Sequence, residues 1–150
     1  MKPATKTGKW RRRGPKAAPL TRSENMARIR GKDTKPELAV RRALWASGLR
    51  YRLHDKRLPG NPDLVFTGRR AVVFVHGCFW HCHEGCSSFR IPKTRTEWWT
   101  AKLARNKARD AKVYAELVAA GWRVIVIWEC ELADQDRLAA VAEELKSLRM

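Results

Sequence analysis

Three features of the sequence predict a mixed α/β fold, a single sheet flanked by helices with a metal-binding loop set into it. Helical and strand periodicities follow one another in the order α-α-β-β-β-α-β-α. A long helical stretch separates the third strand from the fourth, which permits a crossover to a parallel strand. Between them, the segment His76-Gly-Cys-Phe-Trp-His-Cys-His-Glu-Gly-Cys86 concentrates soft ligands in one loop.

Each element has its own local warrant. Thr21-Arg-Ser-Glu24 is a capping box ahead of Met26 and Ile29 and predicts a first helix. Thr34-Lys-Pro-Glu37 is a second box, opening a helix through Leu38, Leu44 and Trp45 that Gly48 stops. Tyr51–Asp55 alternates like a strand, and Leu58-Pro-Gly-Asn-Pro62 makes a stiff loop. Asp63–Thr67 is a short strand, Gly68-Arg-Arg70 a tight turn and Ala71–Val75 an apolar strand. Short connections between these three predict an antiparallel meander. Beyond Pro92, Thr96 to Ala120 reads as a long helix ended by Gly121. Trp122–Trp128 is almost continuously apolar, as a buried central strand would be. An amphipathic helix over Gln135–Leu148 completes the chain.

The 150 residues have room for one domain with one core. Apolar runs no longer than a strand, with a mean hydropathy of -0.53, exclude a membrane span of about 20 apolar residues. No apolar stretch follows the basic N-terminus, so no secretory signal is expected. The net charge of +17 asks for a polyanionic partner, most directly nucleic acid. Eight cations, from Lys2 to Arg22, precede the first acid at Glu24. With Pro3, Gly8, Gly14, Pro15 and Pro19 among them, residues 1–20 are expected to be a disordered basic tail ahead of a single domain over 21–150. Such a tail either tracks phosphates or solubilises the chain; in the first case it adds affinity without sequence choice.

Without an export signal, Cys78, Cys82, Cys86 and Cys130 are better read as metal ligands than as disulfides. Four Cys/His ligands closing a Zn²⁺ site would organise a loop poor in regular structure, and Cys130 would tie it to the end of a strand. Either all four cysteines bind, or a histidine replaces one of them. Both arrangements leave imidazoles for other chemistry. Asp63, at the start of a strand beside a Pro-Gly loop, is placed to hold Mg²⁺. His76 and His81 follow the neighbouring strand, and Glu37 is a further acid, although its capping box also explains it. Lys102, Asn106 and Asp110 share one face of the long helix at i, i+4 and i+8. A carboxylate for metal, imidazoles for proton transfer and a basic field together describe phosphodiester hydrolysis. Phe79 and Trp80, in the metal loop, are expected to be exposed; of Trp98 and Trp99, one is expected to face the core. Exposed aromatics here could wedge between base steps, with Met26 a second candidate.

Collinear motifs then carry a resemblance. Thr21-Arg-Ser-x-Asn-Met26, Pro59-Gly-Asn-Pro-Asp63, His76-Gly-Cys-Phe-Trp-His81, Thr94-Arg-Thr-Glu-x-Trp99 and Gly121-Trp-Arg-Val…Trp-Glu-Cys130 resemble the very-short-patch repair (Vsr) DNA mismatch endonucleases over about Thr21 to Leu132. The resemblance implies a restriction-endonuclease-like core and a Mg²⁺-dependent nick beside T in a T:G mismatch of double-stranded DNA. It further implies a bacterial, cytoplasmic, nucleoid-associated monomer that accompanies a cytosine-5 DNA methyltransferase and works beside mismatch-repair proteins. By position, it gives Asp63 and the Val75 backbone carbonyl as Mg²⁺ ligands and His81 as the base for water. His76, Glu37 and Asp110 would support the hydrated metal, while Lys102 and Asn106 would contact DNA. Phe79, Trp80 and Trp99 resemble the major-groove wedge and Met26 its minor-groove counterpart; Cys78, His83, Cys86 and Cys130 resemble the zinc ligands. The [Asp/Glu]-x-Lys signature of the wider nuclease superfamily is absent after Asp63, and Cys82 is an alternative to His83. Two competing functions share parts of this set. A zinc-stabilised DNA-binding module without catalysis leaves Asp63, His76 and His81 without a role, and a restriction-type endonuclease would cut matched duplex.

Overall fold

A computed structural model describes residues 33–148, together with Ala18, Pro19, Thr21 and Ser23. The chain divides into two compact units, Met1–Arg30 and Gly31–Met150. All elements below belong to the second unit; apart from those four residues, the expected tail and first helix, with Met26, lie outside the described residues.

Helix α1 spans Lys35–Ala46, with Pro36 in its first turn and Thr34 as N-cap, whose side chain accepts the Glu37 N–H. Strands β1 (Arg52–Leu53), β2 (Leu64–Phe66) and β3 (Ala71–His76) form the expected antiparallel meander. Helix α2 (Thr96–Ala119) then returns the chain to β4 (Arg123–Trp128), which pairs parallel with β3 from Ala71↔Arg123 to His76↔Trp128. Helix α3 covers Gln135–Ser147. Among the described residues, no helix is long and apolar enough to cross a membrane.

Two expectations need correction. The strand read over Tyr51–Asp55 is only Arg52–Leu53, because it pairs with the two residues Leu64 and Val65 and no further. The apolar strand Trp122–Trp128 is not central. The sheet order is β1-β2-β3-β4, which makes β4 an edge, and only Ile125 and Ile127 along it are fully buried. The central, wholly buried strand is β3. Helices cover both faces of the sheet, so a partly covered edge strand also needs apolar residues on both sides.

Alternation along the strands sorts the core into two layers. Leu64, Phe66, Val73, Val75, Ile125 and Ile127 face Val40, Leu44, Val141 and Leu145 of α1 and α3. Val65, Val72 and Phe74 face Val113, Tyr114 and Leu117 of α2. A strand period of two therefore turns His76, the last residue of β3, toward α2, and places Asp63, two residues before Val65, on the same side. The Arg69 guanidinium, in the turn between β2 and β3, donates to the Leu145, Lys146 and Leu148 carbonyls at 2.8–3.1 Å and caps the end of α3.

Candidate active site and metal centre

At the C-terminal end of β3 a cleft of about 690 Å³ opens between the Asn61–Asp63 segment, α2 and the N-terminus of α1. Its lining includes Glu37, His54, Asp63, His76, His81 and Asp110, with Lys56 and Arg109 as its cations. Neither cation makes an ion pair with a described residue.

Asp63 sits where β2 has not yet begun and β3 has outrun its partner. The Val75 N–H has no ladder acceptor there, and Asp63 Oδ2 takes it at 2.7 Å. In a strand the N–H and C=O of one residue face the same neighbour, so the Val75 carbonyl faces the same edge. Burial pushes the Asp63 carboxyl up to about 6, the Val75 N–H opposing and the nearby Glu37 charge reinforcing the shift. A half-buried carboxylate that resists ionisation is a group whose charge a cation would satisfy. Its carrying loop is held by close packing: Gly60, at φ +73, leaves no room for a Cβ, which would lie 2.3 Å from Val113 Cγ1 on α2.

His81 Nδ1 lies 2.6 Å from Asp110 Oδ2. The carboxylate takes the Nδ1 proton as its hydrogen bond and leaves Nε2 to accept another. His76 is 4% exposed and stacks on His81 with ring centroids 3.7 Å apart and 6° between planes. Burial holds the His76 imidazole down to about 3, so it stays neutral against its neighbour. Tyr114 Oη is 3.1 Å from His76 Nδ1. One turn of α2 thus supplies both Asp110 and Tyr114 to the histidine pair.

Glu37 takes part in the cap of α1 and also lines the cleft. Its N–H completes the Thr34 cap, and its carboxylate, on a residue 4% exposed, also reaches the cleft. Glu37 Oε2 accepts from the Asp33 N–H at 2.8 Å and from Arg41 Nη2 at 3.2 Å. Asp33, Glu37 and His54 converge closely enough to resemble a metal site, but Arg41 already bridges all three and acts as their cation.

The second centre lies in the loop after β3. Cys78, His83, Cys86 and Cys130 each offer a ligand atom within 4.8 Å of the other three. Three thiols and an imidazole at that spacing suit a tetrahedral soft-metal site with bonds of about 2.0–2.3 Å. Cys82 is not among them: its thiol donates to the Leu103 carbonyl at 3.4 Å, toward α2. His83 is held by stacking on Trp128 at 4.1 Å, and Glu129 accepts the Cys78 N–H at 3.0 Å. Burial raises the Cys78 thiol, while the Ser88 N–H lowers Cys86 first among its neighbours.

The aromatics differ from expectation in one respect. Phe79 and Trp80 are half-buried, not exposed, because they close on each other at 5.1 Å and on Trp99 at 5.4 and 5.8 Å between ring centroids. Of the tryptophan pair, Trp99 is 7% exposed and Trp98 42%. Asn106 Nδ2 donates to the Trp80 carbonyl at 3.2 Å, and Lys102 Nζ stands 5.3 Å over the Trp98 ring. Sequence reasoning missed His54, Arg41 and Tyr114. Only the choice of a histidine ahead of the Pro-Gly loop could have flagged the first, and nothing local flags the others.

A family model for DNA mismatch endonuclease Vsr matches residues 16–87. The type II nicking enzyme V.XorIIP of Xanthomonas oryzae pv. oryzae is 51% identical over 123 residues, 82% of this chain and 90% of that protein. V.NmeAIP of Neisseria meningitidis serogroup A, also a type II nicking enzyme, is 45% identical over 83% of this chain and 91% of its own. The DNA mismatch endonuclease Vsr of Escherichia coli is 43% identical over 84% of this chain and 81% of its own.

Proposed function

The chain belongs to the Vsr family of DNA mismatch endonucleases, and on that premise we propose that it nicks one strand of duplex DNA beside the T of a T:G mismatch, using Mg²⁺. The observation that carries the chemistry is the His81–Asp110 pair, 2.6 Å apart, in one cleft with Asp63.

Asp63 and the Val75 carbonyl fit a hard divalent cation, which when bound would polarise the scissile phosphate and stabilise leaving-group charge. His81 Nε2 takes the proton of the attacking water as oxygen bonds to phosphorus and the P–O bond to the leaving strand breaks. Asp110 orients His81 through Nδ1 and stabilises the imidazolium that results. His76 keeps that ring in place by stacking, and Glu37 orders water about the cation. Phe79, Trp80 and Trp99 form one aromatic block for the base stack, Met26 is the candidate minor-groove wedge, and Lys102 and Asn106 contact DNA. Cys78, His83, Cys86 and Cys130 bind a structural Zn²⁺ that fixes this block against the sheet. The sheet and its helices are then a restriction-endonuclease-like core, working as a monomer in the bacterial cytoplasm on nucleoid DNA. The methyltransferase whose deaminated 5-methylcytosines supply the mismatch, and the mismatch-repair proteins that follow the nick, are the functional partners of this reading.

End-labelled duplexes with one T:G pair in varied contexts, with Mg²⁺ or chelator, test it. Nicking of the T strand alone, absent with chelator and lost by at least about a thousandfold in Asp63→Ala, is expected. Equal cutting of matched duplex would make this a restriction-type enzyme, and binding without cutting in every context would remove the catalytic assignment.

A further inference from the structure

We propose that His54, held by Arg41, is a positioning residue that fixes the free oxygen of the Asp63 carboxylate for its cation; this rests on the reading of Asp63 as a metal ligand. Asp63 has two oxygens with different fates. Oδ2 is pinned by the Val75 N–H at 2.7 Å, which leaves Oδ1 as the oxygen free to turn. Beside Oδ1 stands His54, whose Nδ1 lies 3.9 Å from it.

The tautomer of His54 follows from its other neighbour. Arg41 Nη2 lies 3.0 Å from His54 Nε2, and a guanidinium can only donate. Nε2 is therefore the acceptor, and the proton of the neutral ring sits on Nδ1, the side that faces Asp63. Arg41 is anchored on both sides of that contact: Nη1 lies 2.8 Å from Asp33 Oδ1, and Nη2 itself also reaches Glu37 Oε2 at 3.2 Å, while Nε is buried without a partner. The backbone supports the same arrangement: His54 N–H donates to the Asp63 carbonyl at 3.4 Å. His54 itself adopts φ +45, in the left-handed region that is uncommon for residues other than glycine. At 3.9 Å the Nδ1–H is beyond a hydrogen bond, and it holds Oδ1 only once the two close to bonding distance. A donor on one lone pair of Oδ1 directs the other lone pair toward the cleft, where the cation would sit. Partners of this kind typically set metal affinity within ten- to a hundredfold.

Two measurements on the full-length, zinc-loaded protein test the proposal. Long-range ¹H–¹⁵N correlation, before any divalent ion is added, reads the tautomer directly: Nδ1 protonated and Nε2 bare is expected. A ring protonated on Nε2 overturns the proposal whether or not any variant folds. Titration calorimetry with Mn²⁺ as probe then compares wild type with His54→Asn, His54→Leu and Asp63→Asn. Asparagine tolerates the left-handed backbone and keeps a donor where Nδ1 stood, so its affinity should stay within about threefold of wild type. Leucine should weaken Mn²⁺ roughly ten- to a hundredfold. Wild-type affinity in His54→Leu with loss in Asp63→Asn would overturn the role of His54 alone. Wild-type affinity in Asp63→Asn would overturn the reading of Asp63 as ligand.

Discussion

At the residue scale, the site is governed by what each side chain is denied. Asp63 is denied much of its water, and its carboxyl is raised to about 6. A carboxyl raised on folding contributes stability that is complete below its unfolded pKa and lost as pH rises through its folded value. Without added Mg²⁺, Asp63→Asn should therefore match wild type near pH 4 and exceed it by on the order of 2 kcal/mol near pH 7. Urea unfolding of both proteins at each pH checks this; the acid sensitivity of the shared cysteine loop cancels in the difference. A gap that does not change with pH would mean that the carboxylate is not desolvated. Gly60 is denied volume. Gly60→Ala meets Val113 Cγ1 at 2.3 Å in a left-handed backbone, and should cost about 2–4 kcal/mol of stability. Because the Asp63 loop moves with it, nicking should fall further than stability alone accounts for. Val113→Ala in the same chain should recover part of both.

At the scale of elements, the loop after β3 contributes to two sites at once: His81 to the cleft and Cys78, His83 and Cys86 to the metal quartet. Their interleaving places His81 between Cys78 and His83, inside the span of the quartet. Cys130→Ser and Cys86→Ser should each lose bound zinc, read with a chromogenic chelator, and destabilise the fold through that loss. Cys82→Ser should keep zinc at wild-type stoichiometry, since its thiol points to the Leu103 carbonyl. The cysteine and histidine types were legible in the sequence, but spacing left Cys82 and His83 as equals. The turn that gives Cys82 φ +55 directs it toward α2 and leaves His83 to stack on Trp128. Likewise Lys102, Asn106 and Asp110 were visible as one stripe, yet their separate fates depend on what lies opposite: Trp98, the Trp80 carbonyl and His81.

At the scale of the whole molecule, a charge of +17 makes association with DNA a matter of counterion release. Arg109 lines the cleft without an ion pair among the described residues, so Arg109→Ala should raise KM and reduce the log–log salt slope of binding by about 1. Seven Lys and Arg lie within residues 1–20. A chain starting at Thr21 should lose several units of that slope, about 0.9 per phosphate contact removed, while keeping its preference for the mismatch. An unchanged slope would assign the tail to solubility.

By itself the sequence determined the element order from the helix at Lys35 onward, the meander followed by a parallel strand, the two groupings of chemical residues and the family. These rest on local periodicity, capping boxes and contiguous motifs, each readable within a few residues. The tertiary structure alone decided which strand is central. Continuous apolarity marks burial on both faces, and here an edge strand needs that almost as much as a central one. Only the structure brought His54 and Arg41 to Asp63, through α1 and a left-handed turn after β1, and Tyr114 to His76 across α2. Such contacts join residues 9 to 38 positions apart, and no pattern along the chain specifies a distance across it.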